Sequence, residues 1–166
     1  LLLYIVYQEQ LISTDPLTGL NNRNRFETYM LTLGPGAEQA EDTYLLMMDA
    51  DGFKHINDHY GHVEGDRALQ IISSELKEVC SPSGGFIARY GGDEFVVVQK
   101  GATEQDVIDL SNAINDALAQ AETPYPLRMS IGYACFSSEV KTWQDLLRAA
   151  DAELYRVKAE KKKAGV

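Results

Sequence analysis

Two strand-like runs, Phe86-Ile87-Ala88-Arg89-Tyr90 and Phe95-Val96-Val97-Val98, flank the tetrapeptide Gly91-Gly92-Asp93-Glu94. Aromatic and β-branched residues on both sides of adjoining glycines predict a β-hairpin, because glycine supplies the positive φ that a tight turn demands. Such a hairpin commits the chain to an antiparallel strand pair and sets two carboxylates side by side near its tip. Taken alone, Asp93 and Glu94 read equally well as solvated turn acids or as part of an active site.

A second acidic cluster weighs against the solvated turn. The run Tyr44-Leu45-Leu46-Met47-Met48 ends in Asp49-Ala50-Asp51-Gly52-Phe53-Lys54. A short apolar run without alternation suits a strand buried on both faces, and the spacing of Asp49 and Asp51 puts both carboxylates on one of those faces. Like charges this close need a compensating cation. Lys54 or a divalent metal supplies it, and if Asp93 and Glu94 face the same point a metal is the better compensator. Only oxygen ligands are on offer, so the expected ion is hard, magnesium or manganese.

Helical periodicity places the remaining elements. Arg23 to about Leu33 reads as a helix with Phe26, Met30 and Leu33 inward, and Leu69, Ile72, Leu76 and Val79 form the stripe of a second. Thr103 caps a third helix that uses Val107, Leu110, Ile114 and Leu118, and Leu127 to Phe136 reads as a strand. Thr142 caps a last helix with Leu146, Leu147, Ala150, Leu154 and Val157 inward. Loops are expected at Gly34-Pro35-Gly36 and Ser81-Pro82-Ser83-Gly84-Gly85. Strands and helices mix without strict βαβ alternation, which predicts an α+β fold.

At 166 residues, with 45% hydrophobic and 24% charged residues, the chain suits one globular domain. A net charge of −10 argues against a general nucleic-acid surface, so any phosphate binding has to be local and metal-assisted. Cys80 and Cys135 lack metal-ligand spacing and are expected to be reduced core thiols of a cytoplasmic protein. His55, His59 and His62 have zinc-like spacing, but Gly61 and the turn-forming Asn57-Asp58 speak against one continuous helix beneath them.

Taken in order, five motifs resemble those of the GGDEF domain, the catalytic module of diguanylate cyclases. They are Asp15-Pro16-Leu17-Thr18-Gly19-Leu20-Asn21-Asn22-Arg23; Asp49 to Lys54 with Asn57-Asp58; Gly61-His62 with Gly65-Asp66; Gly91-Gly92-Asp93-Glu94-Phe95; and Ala150-Asp151-Ala152-Glu153-Leu154-Tyr155 with Lys158. The resemblance runs from about Asp15 to Lys163. It implies a central, largely antiparallel sheet of about five strands flanked by helices, similar to the palm of nucleotidyl cyclases and polymerases.

The resemblance also implies the condensation of two GTP molecules into cyclic di-GMP with release of two pyrophosphates. Two divalent ions, magnesium or manganese, are implied per active site, with Asp49, Asp93 and the Ala50 carbonyl as ligands and with Glu94 and Asp51 completing or orienting the site. Asp93, Glu94 and Lys54 are the catalytic candidates, although a metal-bound carboxylate is a poor base and ligation is the surer role of Asp93. Asp66 and Asn57 match the donors of guanine, Phe53 and His62 line the substrate, and Lys54 and Lys158 are phosphate candidates. ATP use is opposed by Asp66, which adenine would leave unpaired. Each domain would hold one GTP, so reaction requires a second copy of the domain.

Two departures from the family stand out. The arginine expected after Lys158 is replaced by Lys162, which loses a bidentate phosphate grip. An Arg-x-x-Asp product-binding motif expected just before the signature is replaced by Pro82 and Gly85. The altered tail keeps open an alternative, a catalytically silent GTP-binding or partner-binding regulatory domain. Residues 1–13 are expected to be the end of a signalling or linker helix and residues 14–166 the domain itself. The apolar run Leu1 to Tyr7 suits the end of a coiled coil, of a membrane helix or of a truncated amphipathic helix. A sensor or membrane region is expected upstream, with the domain cytoplasmic and an inner-membrane anchor as one option.

Overall fold

The structure is a computed structural model that describes residues 1–33 and 42–165. Its helices are α1 (Leu2–Ser13), α2 (Arg23–Leu31), α3 (Phe53–Tyr60), α4 (His62–Cys80), α5 (Glu104–Ala119) and α6 (Trp143–Lys163). The strands are β1 (Tyr44–Ala50), β2 (Phe86–Arg89), β3 (Glu94–Gln99) and β4 (Met129–Cys135). They form one antiparallel sheet in the order β2-β3-β1-β4.

β1 lies in the middle of the sheet and is buried on both faces, as its unbroken apolar run requires. Leu46, Met48 and Ala50 join Phe95 and Val97 against α4 and α5, whereas Leu45 and Met47 join Val96 and Val98 against α2 and α6. Burying each of these larger side chains stabilises the fold by about 2 kcal/mol relative to exposure. Alternation continues past the core, so Asp49 follows Leu45 and Met47 toward the α6 side. Helix α6 lies very close to β4: a Cβ built on Gly132 would come 2.1 Å from the Leu154 backbone nitrogen.

The caps predicted at Thr103 and Thr142 both form, each closed reciprocally by an aspartate three residues on, Asp106 and Asp145. Two expectations need correction. The sheet has four strands among the described residues rather than five, because the outer edge of β2 meets only an isolated bridge from Asn21. Residues 53–60 are helical despite Asn57-Asp58, since Ile56 is buried in the core and Lys54 pairs with Asp58 across one turn. Gly61, at φ +87°, then separates α3 from α4. The loop expected at Gly34-Pro35-Gly36 lies outside the described residues.

Cys80 is buried at the end of α4, where burial raises its thiol to about 11, and it forms no disulfide with Cys135 at the end of β4. No helix among the described residues is long and apolar enough to cross a membrane. Leu2, Leu3 and Tyr4 of α1 are exposed.

Candidate active site

β1 and the β2-β3 turn bring the two acidic clusters together at one end of the sheet. Asp49 pairs in register with Glu94, and the Ala50 N–H donates to the Asp93 carbonyl at 3.1 Å. The Asp93 carboxyl is pushed up from 3.8 to about 6, first by burial, then by the charge of Asp49 and a hydrogen bond shared with it, with Glu94 adding to the repulsion. Asp49 accepts a hydrogen bond from Lys158 at 2.7 Å. Asp51 accepts from the Ser130 hydroxyl at 2.5 Å and from Lys161 at 2.7 Å. Two ammonium groups on α6 therefore each answer one carboxylate at the end of β1.

The turn itself is held by the last residue of β2 and by the N-terminal segment. Arg89 donates to the Gly92 carbonyl at 3.0 and 2.7 Å and to both oxygens of Asp15 at 3.1 and 3.2 Å. Asp15 also accepts from the Thr18 N–H and hydroxyl at 2.9 and 2.6 Å. Fixing the Gly92 carbonyl fixes the peptide plane that leads into Asp93. Asp15 and Arg89 are thus positioning residues, a role that their places in the sequence motifs do not reveal. Their only signal was an acid and a base, each set beside a turn.

The second half of the site is built by α3 packing on α4. A Cβ on Gly65 would come 1.9 Å from Asn57 Oδ1 and 3.5 Å from the Phe53 ring, so glycine at 65 is what lets the Asn57 amide and Phe53 sit against α4. His62 occupies the first residue of α4 and Asp66 follows one turn later, both exposed. Gly52 starts α3 in a left-handed conformation with no side-chain cap, leaving the first-turn N–H groups of that helix open toward an anion just after the β1 acids.

Lys54 does not join the acids. It is fully exposed and pairs with Asp58 at 2.7 Å. Lys162 is exposed, and its side chain makes no hydrogen bond or ion pair among the described residues. Lys161, which the sequence reading passed over, is the tail lysine that reaches the acids. The signal was present: it lies on the heptad line of Leu147 and Leu154, which pack inward. The His55 and His59 rings lie against each other at a tilt of 30° with centroids 3.7 Å apart on α3, whereas His62 lies beyond Gly61. Pro82 falls in a short 3-10 turn, Ser81–Ser83, and Gly85 packs beside Gln99 and Cys80, so this corner offers no guanidinium or carboxylate from those positions.

Among the described residues no three His, Cys, Asp or Glu side chains form a ready-made metal cage. Asp49 and Asp93 nevertheless form a mutually repelling oxygen pair that a cation would relieve, and magnesium is commonly held by one or two carboxylates with substrate phosphates completing its shell. The donor set fits a hard cation on that basis. Glu94 and Asp51 stand beside the pair rather than in it: Glu94 Oε2 lies 2.8 Å from where a Gly91 Cβ would be, and Asp51 is engaged by Ser130 and Lys161.

Comparison with known proteins bears on the family and the fold. The profile of the family described as "Diguanylate cyclase, GGDEF domain" matches residues 12–164. The chain is 32% identical over 155 residues to the probable diguanylate cyclase DgcC of Escherichia coli, covering 90% of this chain and 42% of that protein. It is 36% identical over 150 residues to the diguanylate cyclase DgcM of the same species, covering 87% of this chain and 35% of DgcM. The chain thus spans less than half the length of these relatives. The coiled coil and GGDEF domain of DgcB from Caulobacter crescentus, solved in complex with c-di-GMP, superposes with a TM-score of 0.84 at 26% identity, covering 95% of this chain and 86% of the other. Diguanylate cyclase SiaD of Pseudomonas aeruginosa, solved with its activator SiaC, gives 0.80 at 27% identity, with 95% and 62% covered. The acid pair, the glycine turn that carries it and these likenesses lead to one conclusion: the chain belongs to the GGDEF domain family of diguanylate cyclases.

Proposed function

We propose that this domain condenses two GTP molecules into cyclic di-GMP, releasing two pyrophosphates, with one GTP held by each of two copies of the domain. The observation that carries the reading is the Asp49-Asp93 carboxylate pair standing next to the uncapped first turn of α3 and to Lys158. Asp49 and Asp93 would hold magnesium or manganese. A cation bound there supplies Lewis-acid polarisation of the α-phosphate and neutralises charge on the departing pyrophosphate.

The chain's own residues then do the binding. The N–H groups of the α3 first turn donate to phosphate oxygens, and Lys158, held over Asp49, supplies a point charge to the same anion. Asp66 accepts from guanine N1–H and the N2 amino group, and the Asn57 amide, pressed against Gly65, adds an acceptor and a donor. Arg89 and Asp15 hold the turn so that the Asp93 carboxyl stays beside that of Asp49. The ribose 3′-hydroxyl of the GTP on the partner copy gives up its proton to solvent as its oxygen bonds the α-phosphorus, and the bond from that phosphorus to the pyrophosphate breaks. The names of the curated relatives and of the c-di-GMP complex of DgcB support this chemistry.

The lysine-rich tail, where the family carries an arginine, favours a second reading: a GTP-binding domain that regulates without turnover. Incubation with GTP and magnesium, followed by mass detection of the product, separates the two. Wild type should form cyclic di-GMP, and Asp49→Ala and Asp93→Ala should form none while staying folded. Bound GTP with no product from wild type would select the silent regulator. Wild-type turnover in either folded variant would refute the site.

A further inference from the structure

We propose that Lys161 is the second phosphate-directed cation of the nucleotide site, the task for which sequence spacing nominates Lys162. This inference rests on the proposed function and names the residue that grips the anionic end of the same substrate.

Lys161 Nζ donates to Asp51 Oδ2 at 2.7 Å and to the Met129 carbonyl at 3.3 Å, and only 22% of its side chain is exposed. An ammonium has three N–H bonds, so among the described residues one remains uncommitted. Asp51 adjoins Gly52, the residue that starts α3 without a side-chain cap, so a cation bonded to Asp51 stands beside the open first turn of that helix. Lys158 stands one helical turn earlier on α6, over Asp49. Apart from the first-turn N–H groups of α3, a polyphosphate approaching this end of β1 would otherwise meet carboxylates, on a chain whose net charge is −10 and whose Lys54 is turned away to Asp58. Lys158 and Lys161 are the cations that offset that repulsion.

Helix geometry explains why Lys161 rather than its neighbour does this. The inward stripe of α6 runs through Leu146, Ala150 and Leu154, and Lys161 continues it two turns after Leu154. Lys162 is rotated a further ~100° about the axis, onto the solvent side. The substitution of the family's arginine at 162 therefore removes less than the sequence suggests, because a cation is restored one residue earlier.

Binding of 3′-deoxyguanosine triphosphate with magnesium, measured by titration calorimetry, isolates recognition from turnover because this analogue lacks the attacking hydroxyl. Guanosine, which has the base and no phosphate, is the control. Lys161→Met should weaken the triphosphate by about tenfold or more, the size expected for losing one charge-assisted contact, with guanosine affinity unchanged. Lys161→Arg should restore most of the loss, and Lys162→Met should stay within about twofold of wild type. Lys161→Gln repeats the test if the methionine variant folds poorly by urea unfolding. Triphosphate affinity in the Lys161 variants equal to wild type, a loss carried by Lys162→Met, or a parallel fall in guanosine affinity would overturn the inference alone. A wild type that binds no guanine nucleotide would sink the functional reading and this inference with it.

Discussion

Replacing Asp49 by asparagine separates the two causes that raise the Asp93 carboxyl. Burial comes first and is untouched by the change, whereas the charge of Asp49 and its shared hydrogen bond come next and are altered. With a folded value of about 6 against 3.8 unfolded, Asp93 holds its proton more tightly in the native state. The site's stabilising effect is therefore full below pH about 4 and is lost as the pH rises through about 6. A shift of that size is worth about 3 kcal/mol for a group sealed from water. Asp93 is only half-buried, so solvent screening cuts the expected effect to about 1–2 kcal/mol. Losing the Lys158 partner does not mimic this slope, because that ion pair raises the lysine still further above its usual 10.5 and leaves it charged throughout. Asp15 does not mimic it either: burial alone would raise its carboxyl, but Thr18 and Arg89 outweigh burial, so its contribution is lost only as the pH falls below about 4. Urea unfolding of the metal-free protein from pH 4 to 7.5 measures the effect. Wild type should lose about 1–2 kcal/mol across that range, and Asp49→Asn should lose measurably less, with the part due to burial remaining. Equal slopes in the two proteins would show that the carboxyls do not interact and would remove the physical case for a cation between them.

Gly132→Ala should destabilise the fold by about 3 kcal/mol in urea unfolding, since the new methyl meets the α6 backbone and has no flexible side chain to displace; a loss below about 1 kcal/mol would mean that α6 is not seated as described. Arg89→Ala leaves the Asp15 carboxylate, 15% exposed, without its ion-pair partner, and should cost about 2–3 kcal/mol while lowering product formation with Asp93 intact. Unchanged stability and turnover would dismiss the clamp. Asp66→Ala should weaken GTP far more than ATP in competition titrations, and equal losses would end the guanine assignment. Cyclic di-GMP should inhibit only by competing with GTP, because Pro82 and Gly85 provide no product grip; inhibition that persists at saturating GTP would reveal a separate product site.

Local chemistry was enough to read much of this molecule from its sequence. The unbroken run Leu45 to Met48 announces a strand buried on both faces, the paired glycines announce the hairpin, and Thr103 and Thr142 announce helix starts, because each signal acts within a few residues of itself. Asp49 and Asp51 sharing a face follows from strand alternation alone. Helix α3 was hidden because Asn57 and Asp58 favour turns locally, and only packing of Ile56 into the core and the Lys54-Asp58 pair outweigh that preference. The number of strands depended on what covers the edge of β2, a long-range matter that resemblance could not decide for this chain.

Partner choice belonged to the tertiary structure. Periodicity alone could put Lys158 and Lys161 on the inward line of α6, but which carboxylates they meet depends on how that helix is laid across β4 and β1, and Gly132 sets that approach. Asp15 and Arg89 are 74 residues apart, and their ion pair, from which Arg89 reaches on to the Gly92 carbonyl, joins the N-terminal segment to β2 beside the Asn21 bridge. The sequence determined which groups could carry charge. Folding decided which charges face one another, because that depends on helix seating and strand order rather than on any spacing along the chain.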